Sequence, residues 1–137
     1  MVKRLTVYLG RLLGLFTLII VVWLAIDKQQ TISMLPILFS NRPVMIVFAV
    51  MSLAAGLGIV LAHNLWSGGL LPVLVTLIGW FMVIRGVLFL FLSDQDFAAI
   101  LAIMQFGTLF YLYLLIPLVI GVLLTYLSFT ARMSSAA

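Results

Sequence analysis

Four long apolar runs, at 8–26, 44–63, 70–92 and 97–129, are separated by short polar breaks and cover most of this 137-residue chain. A hydrocarbon core about 30 Å thick takes roughly 20 helical residues to cross, and each run reaches or nearly reaches that length. The pattern predicts an all-α membrane protein: four transmembrane helices in an antiparallel up-down bundle, with a tight hairpin between the second and third.

Composition excludes the alternatives. Charged residues are 7% of the chain and hydrophobic residues 66%, whereas a soluble domain is about 25% charged. The longest stretch outside the runs is the segment from Asp27 to Pro43, too short for a second domain, so 1–137 reads as a single transmembrane domain. The net charge of +4 is spread over Lys3, Arg4, Arg11, Lys28, Arg42, Arg85 and Arg132. No basic patch with interleaved aromatics forms, so nucleic acid is not an expected partner. The basic residues speak to orientation instead, because cytoplasmic flanks carry the excess of Lys and Arg. Lys3, Arg4, Arg11 and Arg132 lie on the side of the termini, against Lys28 and Arg42 on the other side with Asp27, Asp94 and Asp96. Both termini are therefore expected in the cytoplasm. Cysteine is absent, which removes disulfide and thiolate chemistry. The first run follows Lys3 and Arg4 as a signal peptide would, but it is too long for an h-region and lacks a small-x-small cleavage site, so it reads as an uncleaved span.

Small residues mark the expected helix contacts. The first span carries Gly10 and Gly14 at G-x-x-x-G spacing, which lets backbones approach closely where lipid removes the hydrophobic drive to associate. The second has Ala49, Ser52, Gly56, Ile59 and His63 at three- and four-residue steps, and the third has Pro72, Thr76, Gly79, Val83 and Gly86. Joined through Gly68 and Gly69, these two stripes predict a closely packed hairpin, with Val60 facing lipid. The 27–43 segment includes an apolar stretch around Pro36 too short to cross, expected in the headgroup layer or over the bundle. The last run would be about 50 Å long as one straight helix. The span is placed at 108–128, with 97–107 as an interfacial or helical extension and a kink at Pro117.

Few side chains carry chemistry. Arg85 is the one charge well inside a span. Its expected roles are to reach for external headgroups, to pair with Asp94 or Asp96, or to bind an anionic ligand or partner on a face away from the second span. His63, with Asn64 and Trp66, ends the second span; a polar cap with Trp66 anchored at the interface is the plainest role. Haem or metal ligation at a lone His lacks the other ligands it needs, and no metal or cofactor is expected. Asp94 and Asp96 flank Gln95 in a short loop and read as a solvated turn. No catalytic set is present.

The stretch His63-Asn-Leu-Trp-Ser-Gly-Gly69, followed by Gly79-Trp80 and then Arg85-Gly86, resembles a hairpin pattern in small uncharacterised four-span bacterial inner-membrane proteins. The resemblance covers about a fifth of the chain and implies a bacterial inner membrane. It carries over no functional residue.

The functional expectation is a non-catalytic protein that works by assembling in the membrane, with itself or as an accessory subunit of a larger complex. One rival is an oligomeric channel or small-solute permeation unit. The polar groups Thr17, Ser52, Thr76, Arg85, Thr108 and Thr125 do not line one face, which argues against a pore through one copy. Another rival is a lipid- or quinone-binding protein using Arg85, Trp80, Phe81 and Phe89. Membrane lipids are expected partners in every case.

Overall fold

A computed structural model describes residues 2–131, with side chains from Arg4 onward. The side chain of Lys3, and Arg132 with the tail after it, lie outside the described residues. Six helices follow one another: α1 (Val2–Ile26), α2 (Lys28–Ser40), α3 (Arg42–Ala62), α4 (Leu70–Phe91), α5 (Asp94–Met104) and α6 (Phe110–Thr130). Four of them, α1, α3, α4 and α6, are long and apolar enough to cross a membrane. At about 1.5 Å per residue a helix of this length spans roughly 30 Å, and only a helix or a closed barrel satisfies its backbone there.

The short helices α2 and α5 sit together at the end of the bundle opposite the termini. Each is started by a local polar cap. Asp27 accepts from the backbone N–H of Gln30 at 2.9 Å ahead of α2. Ser93 and Asp96 form a reciprocal capping box ahead of α5, with the Ser93 hydroxyl donating to Asp96 Oδ2 at 2.6 Å. Asp96 thus closes a helix end, and the two hydrogen bonds from Ser93, side chain first and backbone second, hold its carboxyl below the ordinary carboxylate range. The last apolar run is broken into α5 and α6 at Gln105, whose φ of 47° is left-handed. One long tilted helix is therefore ruled out, and the extension at 97–107 is α5 with its following turn.

The long helices form two closed pairs. In the first, α3 and α4 run antiparallel along the stripes read from the sequence, and Ala49, Ser52, Gly56, Thr76, Gly79 and Gly86 are all buried. A Cβ on Gly56 would lie 2.7 Å from the backbone N of Val83 and 2.9 Å from the carbonyl oxygen of Gly79. One on Gly86 would lie 2.8 Å from the backbone N of Leu53. These are backbone-on-backbone contacts that any side chain would prevent. Val60 belongs to this interface too. It is 8% exposed, and its Cγ2 lies 3.1 Å from the place a Gly79 Cβ would take, so the expectation that Val60 faces lipid is corrected. Its helical position falls beside the stripe, close enough to be covered by α4.

In the second pair, α1 packs on α6. A Cβ on Gly14 would meet the backbone N of Thr125 at 2.8 Å, and one on Gly121 would meet Leu18 at 3.1 Å. Arg11, lying between Gly10 and Gly14, turns aside; it stacks over the Phe129 ring at 4.6 Å and donates through Nε to the Ser128 carbonyl at 3.4 Å. The pairs meet through α4 against α1 and α6, where Ile59, Leu71, Val75 and Leu124 form the common core.

Because α3 and α4 touch backbone to backbone, Gly56→Leu and Gly79→Leu should each lower the thermal aggregation temperature in detergent, at an overpacking cost of about 1–3 kcal/mol or more. Ala25→Leu, on an exposed part of α1, should leave it unchanged. Equal tolerance at the three positions would show that the close approach is absent.

Candidate functional site

Two polar centres are embedded in this apolar frame, one at each end of the α3/α4 pair. At the end near the termini, α3 stops at His63, which is 1% exposed. Its Nε2 lies 2.7 Å from the Thr6 hydroxyl of α1, and its Nδ1 lies 3.4 Å from the Thr76 hydroxyl of α4. Thr76 also accepts from the Leu65 N–H at 3.1 Å and is placed to donate to the Leu65 carbonyl at 3.0 Å or the His63 carbonyl at 3.2 Å. A hydroxyl has one proton and two lone pairs. Thr76 accepts from the Leu65 N–H and has its own proton to give, while the two ring nitrogens of His63, one a donor and one an acceptor in the neutral ring, each face a threonine hydroxyl. His63 thereby welds α1, the end of α3, the turn and the start of α4.

Both ring nitrogens of His63 face a threonine hydroxyl, and the ring is buried from the surface. Among the described residues no group of three His, Cys, Asp or Glu converges. Asn64 and Trp66 do not join His63 in a pocket; Trp66 is exposed and its Nε1 donates to Asn64 Oδ1 at 2.9 Å. That pair sits on the turn beside Gly68 and Gly69, whose φ values of 95° and 118° favour glycine.

The second centre holds Arg85, which lies six residues before α4 ends at Phe91, about 9 Å along the helix. Its Nε and Nη2 donate to the Ser52 hydroxyl of α3 at 3.3 and 3.1 Å, and Ser52 in turn donates to the Met82 carbonyl at 2.9 Å. Ser52 is ten residues inside α3. Two of the guanidinium nitrogens therefore meet Ser52 on α3, where Asp94 or Asp96 was one expectation. The further expectation that Arg85 faces away from the second span is also corrected, because a long side chain reaches back across the roughly 100° that separates it from the glycine stripe. The Phe89 ring lies 5.8 Å from its Cζ.

A charge at the bilayer centre costs at least ~2.5 kcal/mol, less towards a helix end. Ser52 offers one neutral acceptor. The fixed positive charge has no counter-charge in that contact.

Beside Arg85 a cleft of about 310 Å3 runs between α4 and α5. Its walls are two helical stripes, Phe81, Ile84, Leu88 and Phe89 on α4 facing Phe97, Ile100, Leu101 and Met104 on α5. The rings of Phe39, Phe89 and Phe97 close one end, with centroids 5.3–6.2 Å apart. Trp80 is outside this cleft and 39% exposed.

Several structural residues went unmarked in the sequence reading. Thr6 continues the Gly10/Gly14 spacing one turn earlier, a signal that was there to be used. Arg42, read only for orientation, forks onto the Leu92 and Leu90 carbonyls at 2.6 and 2.8 Å and closes the C-terminus of α4, where orphan acceptors and the negative helix end favour a cation. Comparison of the chain with known protein families, curated proteins and solved structures finds no match.

Removing the Thr76 hydroxyl leaves the buried His63 ring and the half-buried Leu65 backbone short of partners, a loss of about 1–3 kcal/mol. Thr76→Val should therefore lower thermal stability in detergent clearly, and Thr76→Ser should recover most of it. Wild-type stability in the Val variant would remove the welding role from this centre.

Proposed function

We propose that this protein is a non-catalytic, multi-pass protein of a bacterial inner membrane that works by assembling in the bilayer, with other copies of itself or as an accessory subunit. The observation that carries this reading is the outer face of α3. Ala54, Gly58 and Ala62 repeat every four residues there, all exposed, and a Cβ added at Gly58 would meet nothing within 4 Å. Along its inner face α3 is closed by α4, and among the described residues its other main neighbour is the short α2. Helix backbones in lipid associate through small residues at this spacing, and the chain uses the same device at each of its closed internal contacts.

The orientation that accompanies this reading has both termini in the cytoplasm, supported by the four basic residues flanking the spans on that side. In this orientation the His63 centre lies at the cytoplasmic end, and α2, α5 and Arg85 lie towards the periplasm.

Two measurements test the reading. A reporter active only in the periplasm should be silent when fused after Arg132 and active when inserted in the 27–43 segment; the reverse pattern overturns the orientation. Because the chain has no cysteine, Gly58→Cys in native membranes should form a disulfide-linked dimer under mild oxidation, or a link to a partner subunit through a bifunctional crosslinker attached to the introduced thiol. Exposed Ile103→Cys should not. Failure of Gly58→Cys to crosslink above that control removes the α3 face from assembly.

A further inference from the structure

The geometry points to the cleft between α4 and α5 as a binding site for an anionic lipid, with one acyl chain between the helices and the headgroup phosphate on Arg85. This site is on the opposite helix from the α3 face and does not rest on it.

Three observations carry the assignment. The first is the mismatch between two faces that match in pattern. Phe81, Leu88 and Phe89 on α4 and Ile100 and Met104 on α5 lie at helical spacing and confront one another, yet they stand apart around about 310 Å3 of space. Apolar faces held open at membrane depth are filled by whatever apolar chain the bilayer offers.

The second is size. A volume of about 310 Å3 lies at the small end of the ligand-site range, roughly 300–1,000 Å3, and suits a flexible acyl chain lying along the two stripes.

The third is charge. The surface inside the cleft is wholly apolar, so Arg85, one of its lining residues, contributes its aliphatic stem to the wall, and its Cζ lies 5.8 Å from the ring of Phe89, another lining residue. Arg85 Nε and Nη2 are spent on the Ser52 hydroxyl, and among the described residues Nη1 has no acceptor. Ser52 fixes the fork without neutralising it. A phosphodiester supplies both the missing acceptor and the missing charge, and the headgroup of an anionic lipid brings no choline cation to offset that charge or repel Arg85. The positions of Ser52 and Phe89 set the head, and the stripes set the chain.

The test uses the full chain, purified in mild detergent, stripped of lipid and reloaded with defined lipids, with retention read by native mass spectrometry. The probes are phosphatidylglycerol, zwitterionic phosphatidylcholine and a long-chain fatty acid. Wild type should retain phosphatidylglycerol roughly tenfold better than phosphatidylcholine, and better than the fatty acid. Arg85→Leu should lose that preference, and Arg85→Lys should keep part of it. Ile100→Trp, which fills the cleft and leaves Arg85 in place, should lower retention of phosphatidylglycerol, and it keeps the test decisive if Arg85→Leu fails to fold. Unchanged preference in Arg85→Leu, unchanged retention in Ile100→Trp, or a wild type that favours phosphatidylcholine or the fatty acid would each overturn the assignment. So would an Arg85→Leu variant that loses a bound protein subunit and no lipid.

Discussion

Everything in this structure depends on backbone-to-backbone contact at glycine. In lipid the apolar surface of a helix gains nothing by meeting another apolar surface, so packing must come from proximity and from the few polar groups that find partners. Gly56 and Gly86 let α3 and α4 close until one helix's carbonyls and amides bound the space beside the other, and Gly79 makes room for the Ile59 and Val60 side chains. Gly14 likewise brings α1 against the Thr125 amide of α6, while Gly121 makes room for the Leu18 side chain. The two pairs are the rigid units; the core around Val75 and Leu124 joins them.

The polar groups are placed where those pairs need fastening. His63 and Thr76 sit at one end of the α3/α4 stripe and Ser52 with Arg85 towards the other, so the same faces that carry glycine also carry the hydrogen bonds. Arg42 adds a third fastening by closing the last carbonyls of α4. Among the described residues one buried group is left over: the Thr125 hydroxyl, pressed against Gly14, has no partner. Its methyl and hydroxyl fill the α1–α6 contact as a small residue, at the expense of an unsatisfied oxygen.

The spans and the inner hairpin stripes were legible because both rest on local periodicity: length sets a span, and steps of three and four set a face. Val60 shows the limit of that reading, since a position just off the stripe is buried or bare according to how far the partner helix wraps around. Arg85 shows another, because helical angle places the Cβ while a side chain with four rotatable bonds decides where the charge goes. The cleft was not legible at all. It depends on the left-handed turn at Gln105 and on α5 standing beside α4 without closing on it, and both are products of tertiary arrangement. The His63 centre was half legible: the stripe put His63 on the inner face, but its partner Thr6 comes from a helix far away in the chain.

The closeness of α3 and α4 is measured most directly by a disulfide across their contact. The Cβ of Ile59 lies 3.1 Å from the position a Gly79 Cβ would take, a few tenths of an ångström short of the 3.5–4.5 Å of an ordinary disulfide. In native membranes, mild oxidation of the Ile59→Cys, Gly79→Cys double variant should crosslink within the chain nearly completely. The Leu57→Cys, Gly79→Cys pair, with exposed Leu57 on another face, should stay reduced. Equal crosslinking of the two pairs, or none in the first, would contradict the glycine-closed pair on which the rest of the account stands.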